Sequence, residues 1–143
     1  MKIFSPAKIN LFLHVLGKRP DGYHELFSLM CRISLFDEVS LEFGSIPEGE
    51  VEISCNHPKV PTDATNLAHQ AASLFHSQLQ SSQGLKINLK KDIPVGAGLG
   101  GGSSNAASVL LALNTYYGQP LSLGNLMKMG LRLGADVPFF LFQ

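Results

Sequence analysis

Pro94-Val-Gly-Ala-Gly-Leu-Gly-Gly-Gly-Ser-Ser-Asn-Ala-Ala107 is the most informative segment of this chain. Alternating residues before it predict a strand over 85–89, and helical spacing after it predicts a helix over 103–117. Small residues let the backbone approach an anion closely, and a helix start presents unpaired N–H groups at the positive end of its dipole. Ser103 and Ser104 add hydroxyl groups at that point. The segment therefore predicts a loop that binds a polyphosphate.

Two other nucleotide-binding loops are excluded by the sequence. Gly96, Gly98 and Gly101 fit a GxGxxG pattern, but a dinucleotide fold also needs an acidic residue about 20 positions later. No Asp or Glu occurs between Asp92 and Asp136. A Walker A loop would end in Gly-Lys-Ser/Thr, which is absent. A glycine loop without a ligand is the remaining alternative, and the Ala-rich amphipathic helix directly after it argues against a flexible linker.

A period of two near the N-terminus predicts the first strand. Apolar residues at 9, 11, 13 and 15 share one face of a strand over 8–16, which puts Lys8 and Asn10 together on the opposite face with residues 12 and 14. The composition of 17–22 predicts a turn. Further strands are predicted over 26–34, 39–43 and 51–55.

Helical spacing appears in the middle and at the end of the chain. Asp63 or Thr65 is expected to cap the first helix, and Ser122 a short helix that runs to Leu133. A last apolar segment begins at Val137. The first helix is predicted from these residues: Leu67, Ala71, Leu74, Phe75 and Gln78. Strands followed by a mixture of strands and helices predict an α+β layer structure rather than a regular βαβ alternation.

Composition limits the class of protein. The 143 residues suit a single core, and a net charge of zero argues against a nucleic-acid partner. No apolar run approaches the length of about 20 residues that crosses a bilayer. Lys8, Asn10 and His14 interrupt the apolar N-terminus, which argues against a signal peptide and for a cytoplasmic protein. Cys31 and Cys55 form no CxxC pair, so we expect two reduced, buried thiols.

The glycine segment resembles the phosphate loop of a kinase superfamily. Its form Pro-x-x-x-Gly-Leu-Gly-x-Gly-Ser-Ser over 94–104 is similar to that of the galactokinase, homoserine kinase, mevalonate kinase and phosphomevalonate kinase superfamily. The resemblance implies ATP binding through the following residues: Asn66, Lys91, Pro94, Val95, Gly96, Ala97, Gly98, Leu99, Gly100, Gly101, Gly102, Ser103 and Ser104. It also implies a two-layer α+β sandwich similar to the second domain of ribosomal protein S5.

Two flanking motifs resemble one family within that superfamily. Ser5-Pro-Ala-Lys-Ile-Asn-Leu-Phe-Leu13 and Arg19-Pro-Asp-Gly-Tyr-His-Glu-Leu26 are similar to the opening of the 4-diphosphocytidyl-2-C-methyl-D-erythritol kinases, and Gly134-Ala-Asp-Val-Pro138 resembles their third motif. The match runs from Ser5 to the last residue, in the family's order and spacing. We therefore expect 1–143 to be the family's N-terminal ATP-binding and catalytic domain, without its C-terminal half.

The resemblance implies an ATP-dependent transfer of phosphate to the 2-hydroxyl of 4-diphosphocytidyl-2-C-methyl-D-erythritol, with Mg²⁺. Asp136 would be the base, with Lys8 beside it to keep the carboxylate ionised and to stabilise charge on the transferring group. Asn10 would orient the substrate. The alternatives are a solvated Lys8, and an Asp136 that only caps the turn before Pro138.

The same resemblance assigns base recognition to four residues. Tyr23 and His24 would bind the cytosine, because an aromatic ring and an imidazole can stack on a pyrimidine and bind its polar edge. The alternative is a Tyr23 that packs the turn beside an exposed His24. Asn66 and Lys91 fall where the family contacts the adenine and ribose of ATP. Their alternatives are a helix-start residue and a solvated strand end.

Several functional alternatives stay open at this point. The other histidines have no HExxH or CxxC companion, so no protein-bound zinc is expected. Magnesium would arrive with ATP, held by phosphates and a hydroxyl of Ser103 or Ser104. A kinase for homoserine or mevalonate is the second enzyme hypothesis, and a nucleotide-binding domain without turnover is the third.

Overall fold

The computed structural model of the protein describes residues 1–18, 22, 24–80 and 83–142, with the backbone alone at 24 and 26. Its elements are β1 (Lys2–Lys18), β2 (His24–Phe43), β3 (Val51–Cys55), α1 (Leu67–Leu79), β4 (Leu85–Lys90), α2 (Gly101–Tyr116), α3 (Leu123–Leu133) and α4 (Val137–Leu141). None of the helices among these described residues combines the length and the apolar character that crossing a membrane requires.

The four strands form one sheet in the order β1-β2-β4-β3. The β1–β2 and β2–β4 pairs are antiparallel, whereas β3 and β4 are parallel and are joined through α1. Along β4 the side chains of Leu85, Ile87 and Leu89 are buried and those between them are not. They pack in one core with residues of α1 to α4. The predicted α+β two-layer fold is confirmed: helices cover one face of the sheet.

The β1–β2 hairpin is longer than the sequence pattern predicted. The strands expected over 26–34 and 39–43 are one strand, β2, and the gap between them coincides with a register shift, where Pro6 faces Phe36 and Ala7 faces Ile33. Two members of the apolar face predicted on β1 are exposed instead of packed in the core. Leu11 is 60% and Leu13 is 52% exposed, since this part of the hairpin is not among the sheet residues that pack in the core.

The predicted helices are present, with shifted starts. The first is capped by Asn66, whose side chain accepts the N–H of Ala68 at 2.9 Å, so the expected caps at Asp63 and Thr65 are wrong. The Asp63 carboxylate instead accepts the hydroxyl and the N–H of Thr65, which lowers its pKa. The predicted cap Ser122 is confirmed for α3. The helix expected from 103 begins two residues earlier.

The cysteine prediction is half right. Cys31 and Cys55 are both free thiols, as expected. Neither is buried, however: Cys31 lies exposed on β2, and Cys55 is half-buried at the end of β3. The number and spacing of the cysteines indicate reduced thiols, but they do not reveal which strand face the helices cover.

Candidate functional site

The first turn of α2 opens directly from the glycine loop. The N-cap is Gly100, with a φ of 71°, and it offers no side chain to satisfy the helix start. The first hydrogen bond of the helix runs from the Ser104 N–H to the Gly100 carbonyl at 2.9 Å. The N–H groups of Gly101, Gly102 and Ser103 therefore have no partner four residues earlier in the helix. This arrangement is suited to binding an anion.

A cleft of about 370 Å³ lies over this helix start. Its walls are formed by the glycine loop, by the segment before α1 and by the end of β4 with Lys91. The lining residues are Lys59, Val60, Pro61, Thr65, Asn66, Leu67, Leu89, Lys91, Pro94, Val95, Gly96, Ala97, Gly98, Leu99, Gly100, Gly101, Gly102, Ser103 and Asn105. Twelve of the thirteen predicted ATP-binding residues thus line one cavity, Ser104 being the exception.

The two serines of the motif have different surroundings. Ser103 lines the cleft, and a Cβ added to Gly134 would lie 3.9 Å from its hydroxyl oxygen. Ser104 is fully buried and accepts a hydrogen bond from Ser5 at 2.7 Å. The cleft side of the helix start therefore presents one hydroxyl, that of Ser103, while the hydroxyl of Ser104 connects α2 to β1.

The loop conformation requires glycine at several positions. Gly96, Gly98 and Gly100 all have positive φ, between 71° and 77°, a region that other residues rarely adopt. A Cβ at Gly100 would also lie 3.0 Å from the ring of Phe140 and 3.1 Å from the Cγ of Lys8. The loop backbone is therefore packed against these two side chains. A larger residue at Gly100 would push the loop away from them.

Lys8 and Asp136 meet beside the loop. The Lys8 Nζ lies 3.6 Å from Oδ2 of Asp136 and donates to Oδ1 of Asn10 at 3.3 Å. The predicted placement of Lys8 and Asn10 on one strand face is confirmed by this contact. The backbone N–H of Lys8 also donates to the carbonyl of Leu99 at 2.9 Å. The charged pair is thereby fixed to the glycine loop by the main chain.

The simpler alternatives for this pair do not fit its surroundings. The Lys8 side chain is only 7% exposed, so it is not a solvated lysine. Asp136 stands at the N-cap position of α4, but its side chain makes no capping hydrogen bond within the described part of the chain. Its carboxylate is 40% exposed beside the lysine. A carboxylate that solvent can reach and that is paired with a buried ammonium is suited to accept a proton from a bound alcohol.

Asn66 and Lys91 line the cleft and also have structural partners. The amide of Asn66 donates to the Pro61 carbonyl at 2.7 Å, in addition to capping α1. The Lys91 ammonium forms an ion pair with Asp37 and donates to Asn105 at 2.9 Å. With its side chain 5% exposed, Lys91 is not the solvated strand end that was the alternative. The role of Asn66 and Lys91 in binding the nucleotide stays a prediction.

The predicted cytosine-binding pair falls outside the described side chains. Tyr23 is not among the described residues, and of His24 only the backbone is described, at the start of β2. No group of three or more His, Cys, Asp and Glu side chains that could hold a metal ion occurs in the described ranges. The Ser103 hydroxyl, which belongs to a residue that lines the cleft, is an oxygen of the kind that Mg²⁺ binds.

A family comparison decides the assignment of this domain. The family model described as "GHMP kinases N terminal domain" matches residues 66–143, which include the glycine loop, α2 and Asp136. The chain belongs to the GHMP kinase N-terminal domain family. Two curated relatives of this GHMP kinase domain bear the same name. The chain is 49% identical over 139 residues to the 4-diphosphocytidyl-2-C-methyl-D-erythritol kinase of Syntrophotalea carbinolica, covering 97% of this chain and 49% of the relative.

A second relative gives the same coverage. The enzyme of that name from Syntrophus aciditrophicus is 50% identical over 143 residues, which is all of this chain and 50% of the relative. The GHMP kinase domain described here thus spans about half the length of the curated relatives it matches.

Solved structures agree with the fold of the GHMP kinase domain. A crystal structure of 4-(cytidine 5'-diphospho)-2C-methyl-D-erythritol kinase matches with a TM-score of 0.79 at 43% identity, covering 99% of this chain and 48% of that one. The mevalonate kinase of Methanococcus jannaschii matches with a TM-score of 0.71 at 20% identity, over 100% of this chain and 51% of that one. The second likeness shows a shared fold.

The sequence interpretation missed several residues of this GHMP kinase site. Lys59, Val60 and Pro61 form a wall of the cleft, although nothing in their local pattern signals a ligand. Asp37 and Asn105 lie behind the loop and contact Lys91. No local pattern distinguishes Asp37, because β2 contains other charged residues as well, among them the adjacent Glu38.

Proposed function

We propose that the chain is the ATP-binding and catalytic part of a 4-diphosphocytidyl-2-C-methyl-D-erythritol kinase. The reaction is transfer of the γ-phosphoryl group of ATP to the 2-hydroxyl of the cytidine-bearing alcohol, with ADP as the second product. The names and the identity of the relatives support the substrate. Cytoplasmic residence belongs to the same proposal, on the sequence grounds given above.

One observation carries this proposal: the pair of Lys8 and Asp136 lies beside the open start of α2, joined to the loop through Leu99. Phosphoryl transfer needs a group that accepts the hydroxyl proton and positive charge near the phosphoryl oxygens. Asp136 would take the proton as the substrate oxygen bonds to the γ-phosphorus and the bond to the ADP oxygen breaks. Lys8 would stabilise the negative charge on the transferring group.

The nucleotide would lie with its phosphates at the helix start. The free N–H groups at Gly101 and Gly102 are the donors for phosphate oxygens, and glycine at Gly96, Gly98 and Gly100 permits the close approach. Mg²⁺ bound to the phosphates would neutralise part of their charge, with the hydroxyl of Ser103 as the protein donor on the cleft side. Asn66 and Lys91 would line the adenine and ribose end.

The acceptor alcohol would approach from the β1 side of the loop. Asn10, already in contact with the Lys8 ammonium, would orient the hydroxyl by hydrogen bonding. The Tyr23 ring and the His24 imidazole would bind the cytosine, a role that a kinase for homoserine or mevalonate does not need. This difference separates the proposed function from the second enzyme hypothesis.

Turnover of three alcohols tests the proposed function. The protein is the complete gene product that contains this chain, assayed by ADP release with MgATP and each of 4-diphosphocytidyl-2-C-methyl-D-erythritol, homoserine and mevalonate. The cytidine-bearing alcohol is expected to give a kcat/KM at least about 10²-fold above the others, because only it satisfies a site that binds a pyrimidine. The 143-residue chain is assayed in parallel for binding of ATP and for turnover.

The results separate the three hypotheses. Preference for homoserine or mevalonate would contradict the substrate while leaving the kinase assignment standing. Binding of ATP without turnover of any alcohol by the complete gene product would favour the nucleotide-binding domain. Absence of ATP binding in the complete gene product would contradict the proposal as a whole.

A further inference from the structure

Asp37 is a fully buried carboxylate on β2 that no step of the proposed reaction uses. Its Oδ1 accepts the backbone N–H groups of Asp92 and Ile93, each at 2.9 Å. Its Oδ2 accepts the side-chain amide of Asn105 at 3.0 Å and the ammonium of Lys91. Asp92 and Ile93 precede the glycine loop, and Asn105 follows it. One carboxylate therefore holds both ends of the loop.

Packing alone does not explain why a charged residue is buried at this position. A carboxylate removed from water is destabilising unless donors match its lone pairs, and apolar side chains could join the same segments without that cost. Four donors surround the Asp37 carboxylate, and the carboxylate in turn fixes the direction of the two backbone N–H groups among them. The loop between them contains glycines with positive φ, whose backbone has the greatest freedom when its ends are not held.

The partners of this carboxylate reach the cleft. Lys91 and Asn105 both line it. A Cβ added to Gly101 would lie 3.0 Å from the Lys91 Nζ, so the ammonium contacts the first residue of α2. The Asn105 amide also donates to the hydroxyl of Ser5 at 3.1 Å, which connects the helix to β1. The ion pair thus fixes a cation directly beneath the helix start.

We propose that Asp37 is the positioning residue of the nucleotide site. It holds the glycine loop and the Lys91 ammonium in the arrangement that binds the phosphates of ATP, and it does not itself touch ATP. This inference rests on the proposed function, because it requires ATP in the cleft. It adds a residue outside the phosphate loop on which affinity for ATP depends.

Steady-state kinetics of Asp37→Asn in the complete gene product tests the inference. Asparagine keeps the shape but turns one acceptor into a donor, which faces the donors of the loop ends or of Lys91. The KM for ATP is expected to rise roughly tenfold or more, because a buried donor loses its partner. The KM for the alcohol is expected to change less than about twofold, since the donors to Asp37 belong to the loop ends, Lys91 and α2 and not to Lys8 or Asp136.

Asn114→Ala is the matched control. Asn114 is buried at the other end of α2, where its side chain donates to the carbonyl and accepts the N–H of Leu121, each at 3.0 Å. Loss of the Asn114 side chain is expected to lower the melting temperature and the fraction of active protein. Partial unfolding reduces the apparent kcat and leaves the KM for ATP unchanged, so a merely structural role of Asp37 would give this result too.

Asn105→Ala provides a second variant, which removes the link from Asp37 to the helix together with the contacts of Asn105 to Lys91 and Ser5. It is expected to raise the KM for ATP in the same direction as Asp37→Asn. If the folded variants keep the wild-type KM for ATP, or if neither of them folds, the network serves stability alone and the inference is overturned. If the wild-type gene product does not bind ATP, the proposed function fails, and that result is visible before any variant is compared.

Discussion

Replacement of Asp136 by asparagine is expected to lower kcat in the complete gene product by about 10²- to 10⁴-fold. Asparagine preserves the shape of the side chain but cannot accept the proton of the alcohol. The carboxylate makes no capping hydrogen bond in the described part of the chain and is 40% exposed, so the melting temperature should change little. A large loss of rate in a stable protein is the signature of a group that acts in the reaction.

Lys8→Met is expected to lower kcat by about 10²- to 10³-fold, because it removes the positive charge beside Asp136 that we propose stabilises the transferring group. Methionine keeps an apolar stem of similar length in the space against Gly100. Lys2→Met is the matched control: Lys2 lies on the same strand and pairs with Glu38 at 2.9 Å, but it is 58% exposed and far along β1 from the loop. The control should keep the wild-type kcat.

Both variants are measured by steady-state ADP release, with thermal unfolding as the check on folding. A kcat of Asp136→Asn or Lys8→Met close to that of Lys2→Met, in folded protein, would show that the pair does not carry the chemistry. The proposed mechanism would then be wrong even if the substrate preference were right.

Gly100→Ala is expected to weaken binding of an unreactive ATP analogue by roughly tenfold or more. Two effects add. The φ of 71° is unfavourable for alanine, and the new methyl group would lie 3.0 Å from Phe140 and 3.1 Å from Lys8. The loop has to move away from these neighbours, and the free N–H groups of the first helical turn move with it.

Gly118→Ala is the control that distinguishes the effect of backbone strain on stability from an effect on ATP binding. Gly118 follows α2 at the far end with a φ of 77°, and nothing lies within 4 Å of an added Cβ. Both alanine variants should lose about 1–2 kcal/mol of stability from the left-handed backbone. Only Gly100→Ala should lose affinity, as measured by titration calorimetry with the Mg²⁺ complex of the analogue. Equal affinities in the two variants would exclude close packing of the loop as a requirement for binding.

The sequence was sufficient for the local parts of this site. A strand, a glycine loop and a helix in succession form one local unit, and its residue types already predict a turn that is suited to an anion. The period of two correctly placed Lys8 and Asn10 on one face, because alternation does not depend on the rest of the fold. The cap at Ser122 is likewise a local signal that the structure retains.

The parts that sequence reasoning missed depend on long-range packing. The contact of Asp37 with Asn105 joins residues 68 positions apart, and no local pattern encodes it. The exposed Leu11 and Leu13 show the same limit, since alternation defines two faces of a strand but not how far the helices cover them. The start of α2 at Gly101 rather than 103 also escaped, because glycine is a poor helix former and is tolerated here at the loop junction.

The most direct test is a crystal structure of the complete gene product with Mg²⁺ and an unreactive ATP analogue. We predict phosphate oxygens about 2.7–3.2 Å from backbone nitrogens between Gly98 and Ser103. A fully occupied analogue bound elsewhere, with these N–H groups facing only water, would contradict the assignment of the cleft and everything built on it.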